Sequence, residues 1–323
     1  FIEDTDAYGI IYNSNYLRIY DRALFSAAAN ANDDSSSMAN TLGKGDWSIV
    51  SVGHQKFVSS PRLGSQVVVQ GQLVETFSES NRHTENDSKL ERGSWSVWNM
   101  QMTSPDGKEV YNIVTDLIVA NSFPAVIREM DGSKEVLPKG STQTKNQDVK
   151  HTNNCDDTIN MMTCSDVFTI ERDELDIQAH GLLPLRTILS YFERGRTNMF
   201  GGPNNLRKMQ DEDGILAVVT SVRDLSLFWT PAVASEEKNN GTEKDLYPTM
   251  VEAGQQIVVN TAVEVKRKGM ILEFHQSLSL LKEDMLISKG RVYLMMINAE
   301  TRRPTSKLPP WAWELLDVQD GVK

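Results

Sequence analysis

The chain has 323 residues, 39% of them hydrophobic and 24% charged, which is about twice the usual single-domain size and too apolar for a wholly disordered polymer. Its 33 basic against 44 acidic residues leave a net charge of -11, without the basic excess that a nucleic-acid binder needs to neutralise phosphates. Even the longest apolar candidates, such as 215–222, are broken by polar residues well short of the roughly 20 that a membrane helix requires, so no membrane span is expected.

In chain order, a short extended start leads through Gly9 into residues 10–29, where Tyr12, Tyr16, Ile19, Tyr20, Ala23, Leu24 and Ala27 recur at helical spacing. Runs rich in Val, Ile, Trp and Thr then predict strands at 47–59, 65–78, 93–104 and 109–121. Residues 128–163 are polar and without sustained periodicity, which predicts a linker. Beyond it the order repeats: a helix over 182–199, carried by Leu185, Ile188, Leu189, Phe192 and Met199, then strands at 214–229, 255–267, 269–282 and 286–298.

One helix followed by four strands, twice, is an internal repeat of about 150 residues. Gly9 to Arg22 has the spacing of Gly181 to Arg194, and Tyr20-Asp21-Arg22 answers Phe192-Glu193-Arg194. The run from Pro61 to Val69 answers Pro231 and, after a charged insertion at about 234–253, Gly254 to Val259; Arg92-Gly93 and Lys268-Gly269 take matching hairpin turns. The predicted fold is α+β, two repeats each with one long helix wrapped by an antiparallel sheet. The division runs 1–127 for the first repeat, 128–163 for the linker, 164–310 for the second repeat and 311–323 for a tail. Fused repeats form a built-in dimer in which otherwise unpaired sheet edges meet across a pseudo-twofold axis.

The chemistry concentrates at the start. Asp4 and Asp6 end an extended run, Gly9 allows a turn, and Asn13 to Asn15 offer N-cap groups before the helix. A helix N-terminus presents unpaired N–H groups and partial positive charge where an acyl carbonyl becomes an oxyanion, and a carboxylate just upstream can attack that carbonyl or activate water against it. A solvated turn Asp and an ordinary helix cap are the competing reading of the same residues.

The segment Glu3 to Arg18 has the form D-x-D-x-x-G-x-x-Y-x-x-x-Y, which closely resembles the opening signature of the 4-hydroxybenzoyl-CoA thioesterase-like branch of the hotdog superfamily. Pro61-Arg62-Leu63-Gly64 looks like that family's second landmark, a proline and a glycine between two strands. The resemblance implies a tandem double hotdog that hydrolyses acyl-CoA or acyl-carrier-protein thioesters. It makes Asp6 the catalytic carboxylate and the amide at Asn13 the group that polarises the carbonyl. Gly9, Tyr12 and Tyr16 of the same signature are the expected substrate-binding positions. Many members carry His where this chain has Asn13; others use an Asn and an Arg, for which Arg22 is the counterpart, with ion pairing to Asp21 as its alternative role. The implied partners are the acyl thioester and its CoA or carrier protein, with a homodimer of double hotdogs allowed; no cofactor and no metal are expected. A double-hotdog dehydratase or enoyl hydratase is the alternative enzyme, but its D-x-N-P-x-H signature is absent. A non-catalytic acyl-binding protein is the alternative outside enzymes.

In the second repeat Gln178 stands at the position of Asp6, Pro184 at Tyr12 and Leu185 at Asn13, so this copy is expected to be catalytically degenerate. His180 is expected to be an ordinary hydrogen-bonded residue, and Glu193 to pair in solvent with Arg194 or Arg196. His54, His83 and His275 fit no metal spacing, and His151, Cys155, Asp157 and Cys164 are irregularly placed in the linker region. Lys266-Arg267-Lys268 reads as a solvated hairpin tip, with contact to CoA phosphates as its alternative. Two cysteines make no disulfide framework, which favours a reducing intracellular compartment. A start at Phe1 reads as an excised or processed piece, with any targeting peptide outside it and the localisation left open.

Overall fold

The computed structural model describes residues 13–30, 47–62, 64–78, 94–121, 162–175, 183–231, 246–248, 251–282 and 285–316. Helix α1 (Asn13–Asn30) is followed by β1 (Trp47–Phe57), β2 (Val68–Ser78), β3 (Ser94–Thr103) and β4 (Val110–Asn121). Then come β5 (Met162–Thr169), α2 (Leu185–Met199), α3 (Pro203–Asp211), β6 (Ile215–Leu227), β7 (Trp229–Pro231) and β8 (Leu246–Pro248). The chain continues through β9 (Gln256–Lys266), β10 (Ile271–Leu280), β11 (Met285–Asn298) and α4 (Pro310–Leu315).

Nine strands form one antiparallel sheet in the order β2, β3, β4, β1, β6, β11, β10, β9, β5. Outward from the central β1–β6 pair, one side reads β1, β4, β3, β2 and the other β6, β11, β10, β9, so strands at matching points of the two repeats hold matching places. The halves join where Ser51 faces Ser226, Val52 faces Leu225 and Gln55 faces Val222, and the Ser51 hydroxyl donates to the Leu225 carbonyl at 3.3 Å. Each half thereby covers the edge that the other would leave open.

The alternation that predicts the strands also sets the faces of the sheet. On β9 and β10 the buried Val259, Thr261, Val263, Phe274, Gln276 and Leu278 point toward α2, while His275 and Ser277 point outward. On α2 the buried Leu185, Ile188, Leu189, Phe192 and Met199 follow helical spacing, as Tyr16, Tyr20 and Leu24 do on α1. These side chains form one continuous core with Trp98, Val114, Leu225 and Phe274.

Each helix is also tied to its sheet by a buried polar cluster. Beneath α1 the Tyr20 hydroxyl donates to Asn112 Oδ1 at 2.8 Å, Gln55 Nε2 reaches the same oxygen at 3.2 Å, and Asn112 Nδ2 donates to the Lys56 carbonyl. Beneath α2, Gln276 donates to the Phe192 carbonyl at 2.7 Å and to Thr261 Oγ1 at 2.9 Å, and accepts from Arg196. Gly195 permits this approach, because a Cβ there would lie 2.9 Å from Thr261 Oγ1 and 3.0 Å from Val259 Cγ1.

The structure departs from the sequence expectations at several places. Strand β5 begins at Met162, inside the expected linker, and pairs along β9 as the ninth strand. Helix α3 and the small β7–β8 ribbon were not expected. The segment assigned to a tail begins as α4, where Ala312 and Leu316 are buried and where Leu308 and Trp313 close over Gly269. Of the two arginines expected to pair with Glu193 in solvent, Arg196 is buried between α2 and the sheet on Gln276, and Arg194 pairs with Glu174 at 3.1 Å. The linker up to residue 161, with His151, Cys155 and Asp157, lies outside the described residues.

Candidate active site

The start of α1 is the structural feature on which the signature bears. The helix begins at Asn13, with no acidic residue in its first turn, so its first amides carry the partial positive charge of the macrodipole without a side-chain carboxylate there to neutralise it. Asp4, Asp6, Gly9 and Tyr12 lie outside the described residues, as do His83, Gln178, His180 and Gly181.

Tyr16, one turn into α1, is 1% exposed. Its ring meets Phe57 edge-on at a centroid distance of 5.2 Å, and its hydroxyl points to the Ser59 carbonyl at 3.5 Å. Burial pushes that hydroxyl up to about 12, against a smaller opposing pull from the Ser60 hydroxyl; Tyr16 therefore stays protonated and offers a proton rather than taking one. Below it, burial raises Tyr20 still further.

Arg22 is half-buried and engaged in interactions of its own. Nine residues after Asn13, it lies about 13 Å along the axis and half a turn round the helix. The structure thus does not bring Arg22 and the Asn13 amide to one carbonyl. Its neighbour Asp21 faces Arg186 of α2 at 3.7 Å, and Ser190 donates to Ser14 at 3.3 Å, so α1 and α2 meet along these turns.

The start of α2 is chemically different. Pro184 caps it in an extended conformation with no side-chain hydrogen bond, its carbonyl accepts from Thr187 and Ile188, and Leu185 is buried. The turn before it, Arg172–Glu174, is clamped to the helix by Tyr191, which donates to Glu174, and by Arg194, which bonds Glu174 and covers the Tyr191 ring at 4.9 Å.

Beside Tyr16 a groove of about 570 Å³ is lined by Ser59, Ser60, Arg62, Ser65, Glu109 and Tyr111. A larger cavity, about 820 Å³, lies on the second half's strands and includes the outward-facing His275, Ser277 and Arg291.

That outward face carries a polar cluster absent from the sequence expectations. Glu264, Glu273 and His275 bring their ligand atoms within 4.8 Å of one another. Lys266 already supplies the cation, bonding Glu273 and lying 3.2 Å from Glu264, while Tyr293 donates to Glu273 at 2.6 Å. Burial pushes the Glu273 carboxyl up, but Lys266, Tyr293 and His275 outweigh it and hold it below the usual carboxylate range. Hairpin symmetry is the signal that locates the cluster, since Glu264 and Glu273 are equidistant from the Lys268-Gly269 turn and pair directly. Lys266 is thereby committed to carboxylates, while Arg267 and Lys268 are exposed at the tip. His54 is held below its usual value by burial, then by Arg223 and Lys56.

No protein-family model and no curated protein matches the chain. Among solved structures, the chain is similar to a putative oleoyl thioesterase from Lactobacillus plantarum, at 9% identity over 91% of each chain with a TM-score of 0.49. It is also similar to an acyl-ACP thioesterase from Bacteroides thetaiotaomicron, at 13% identity over 90% of this chain and 93% of that one with a TM-score of 0.47. A 12:0-ACP thioesterase from Umbellularia californica matches at 11% identity over 91% of this chain and 90% of that one, again with a TM-score of 0.47. At such identities and scores the likeness assigns no residue a role, and function rests on the chain's own residues.

Proposed function

We propose that this chain is a double-hotdog thioesterase with one working site, in which residues 1–127 form the catalytic repeat and 164–310 its degenerate partner. The observation that carries the reading is the junction of signature and helix: D-x-D-x-x-G runs into α1, which begins at Asn13. The amides of that first turn receive the thioester carbonyl oxygen. Asp6 then either attacks the carbonyl carbon, expelling thiolate and leaving an anhydride that water cleaves, or takes a proton from the water that attacks. Both routes consume one water and yield carboxylate and thiol. The mirrored strand order supports the pseudo-dimer. Pro184 and Leu185 at the start of α2 support a single site, since they replace a polar first turn with an apolar one.

Incubation of the full chain with a panel of acyl-CoA and acyl-carrier-protein thioesters, with detection of free thiol, tests the activity. Thiol release is expected. A change in enoyl absorbance without thiol release would instead identify a hydratase, and binding without turnover an acyl-binding protein.

A further inference from the structure

We infer that the groove of Ser59, Ser60, Arg62, Ser65, Glu109 and Tyr111 receives the phosphopantetheine arm that CoA and carrier-protein thioesters share. This assignment rests on the hydrolase reading for its direction, because the arm must leave the carbonyl at the start of α1. The groove borders Tyr16, and Tyr16 stands within about one helical turn of Asn13. A chain that begins at a carbonyl held by the first amides of α1 therefore has this groove on the same side of the helix as its arm.

The lining suits that arm along its length. The arm presents amide groups, then a hydroxyl, then a phosphate. Ser65 offers a hydroxyl that both donates and accepts, Ser60, already bonded to Tyr16, keeps a lone pair, and the Glu109 carboxylate, already bonded to the Tyr111 hydroxyl, has further lone pairs for amide N–H groups. Ser59 is committed to the Val110 carbonyl at 3.0 Å and forms the wall. Arg62 is exposed and makes no ion pair among the described residues, so its guanidinium is free to meet a phosphate at the rim. Pro61 and Val110 give the groove part of an apolar wall, which suits the methylene segments of the arm, whereas an acyl chain would have no use for the Arg62 charge here.

The test compares the full chain with Arg62→Ala, Arg62→Lys and Ser65→Trp; both positions are exposed, so folding should survive each change. One readout is calorimetric binding of CoA, which requires no chemistry. The other is kcat/KM for one acyl group carried on N-acetylcysteamine, pantetheine, CoA and holo carrier protein. Arg62→Ala should weaken CoA binding about fivefold, and Arg62→Lys should restore most of it. The preference for CoA and carrier thioesters over the N-acetylcysteamine thioester should fall by the same factor on both carriers. Ser65→Trp should erase the preference for pantetheine over N-acetylcysteamine.

Equal CoA affinity in the wild type and Arg62→Ala, or a wild type that neither binds CoA nor prefers any longer arm, would overturn the assignment. A loss confined to the carrier-protein thioester would also overturn it, since Arg62 would then meet the carrier's surface. If the wild type released no thiol from any of the four thioesters, the hydrolase reading would fail separately, while CoA binding would still decide whether the groove takes the arm.

Discussion

Burial of Tyr16 gives a pH signature that its role in α1 dictates. Its folded-state value is raised from 10.0 to about 12, so its stabilising contribution is complete below pH 10 and is lost as pH rises toward 12. Denaturation measured from pH 8 to 12 should show a falling stability to which Tyr16 contributes up to about 2–3 kcal/mol, and Tyr16→Phe should remove that share of the slope while leaving the share of the likewise raised Tyr20 and Tyr191. Tyr20→Phe, by contrast, leaves Gln55 on Asn112 Oδ1 and should cost only about 1 kcal/mol at neutral pH. At this scale the sequence shows residue types but not facing: Tyr16 and Tyr20 are legible as one helical stripe, whereas Arg196 looks like any surface arginine until Gln276 beneath it is seen. Arg22 is the converse case. Its candidacy rests on the resemblance to family members that use an Asn and an Arg, and helical geometry sets it about 13 Å along the axis from the Asn13 amide.

Among the elements, the predicted strands agree with the structure because Val, Ile and Trp alternate against a single covered face. Strand β5 escaped because one of its inward positions is Asp166, held by Asn198 at 2.9 Å, and another is Cys164, so no apolar alternation marks it. Helix α3 buries only Met209 and has correspondingly little apolar periodicity. The contact of α2 with the sheet makes a test of packing against propensity. Gly195→Ala should gain up to about 1 kcal/mol of helix propensity, yet Thr261 and Val259 stand within 3.0 Å of the new methyl group and the bonded Thr261 cannot turn freely. A net destabilisation of about 1–2 kcal/mol is expected in thermal or urea melts. The β1–β6 seam likewise predicts that residues 1–127, expressed alone, aggregate or recombine with the other half. A monomeric, cooperatively melting fragment would contradict the built-in dimer.

For the molecule as a whole, the two halves have the same strand order but different chemistry at their helix starts. The outward cluster around Glu273 belongs to the second half and should set part of the acid stability. Its depressed carboxyl contributes above the unfolded value and loses that contribution as pH falls through the folded one. Glu273→Gln should therefore flatten the acid limb of a stability–pH curve, with a loss of about 1–3 kcal/mol at pH 7. The difference between α1 and α2 predicts a stoichiometry: a non-hydrolysable thioester analogue should saturate near one per chain, and saturation near two would mean that the second half also works. The central claim concerns Asp6 and the start of α1, and it is tested most directly by free-thiol release from an acyl-CoA by wild-type, Asp6→Ala and Asp4→Ala chains of equal thermal stability. A catalytic Asp6 predicts a fall of about 100-fold or more in kcat for Asp6→Ala and a clearly smaller effect for Asp4→Ala; full activity in Asp6→Ala, or equal losses in both variants, would overturn that role.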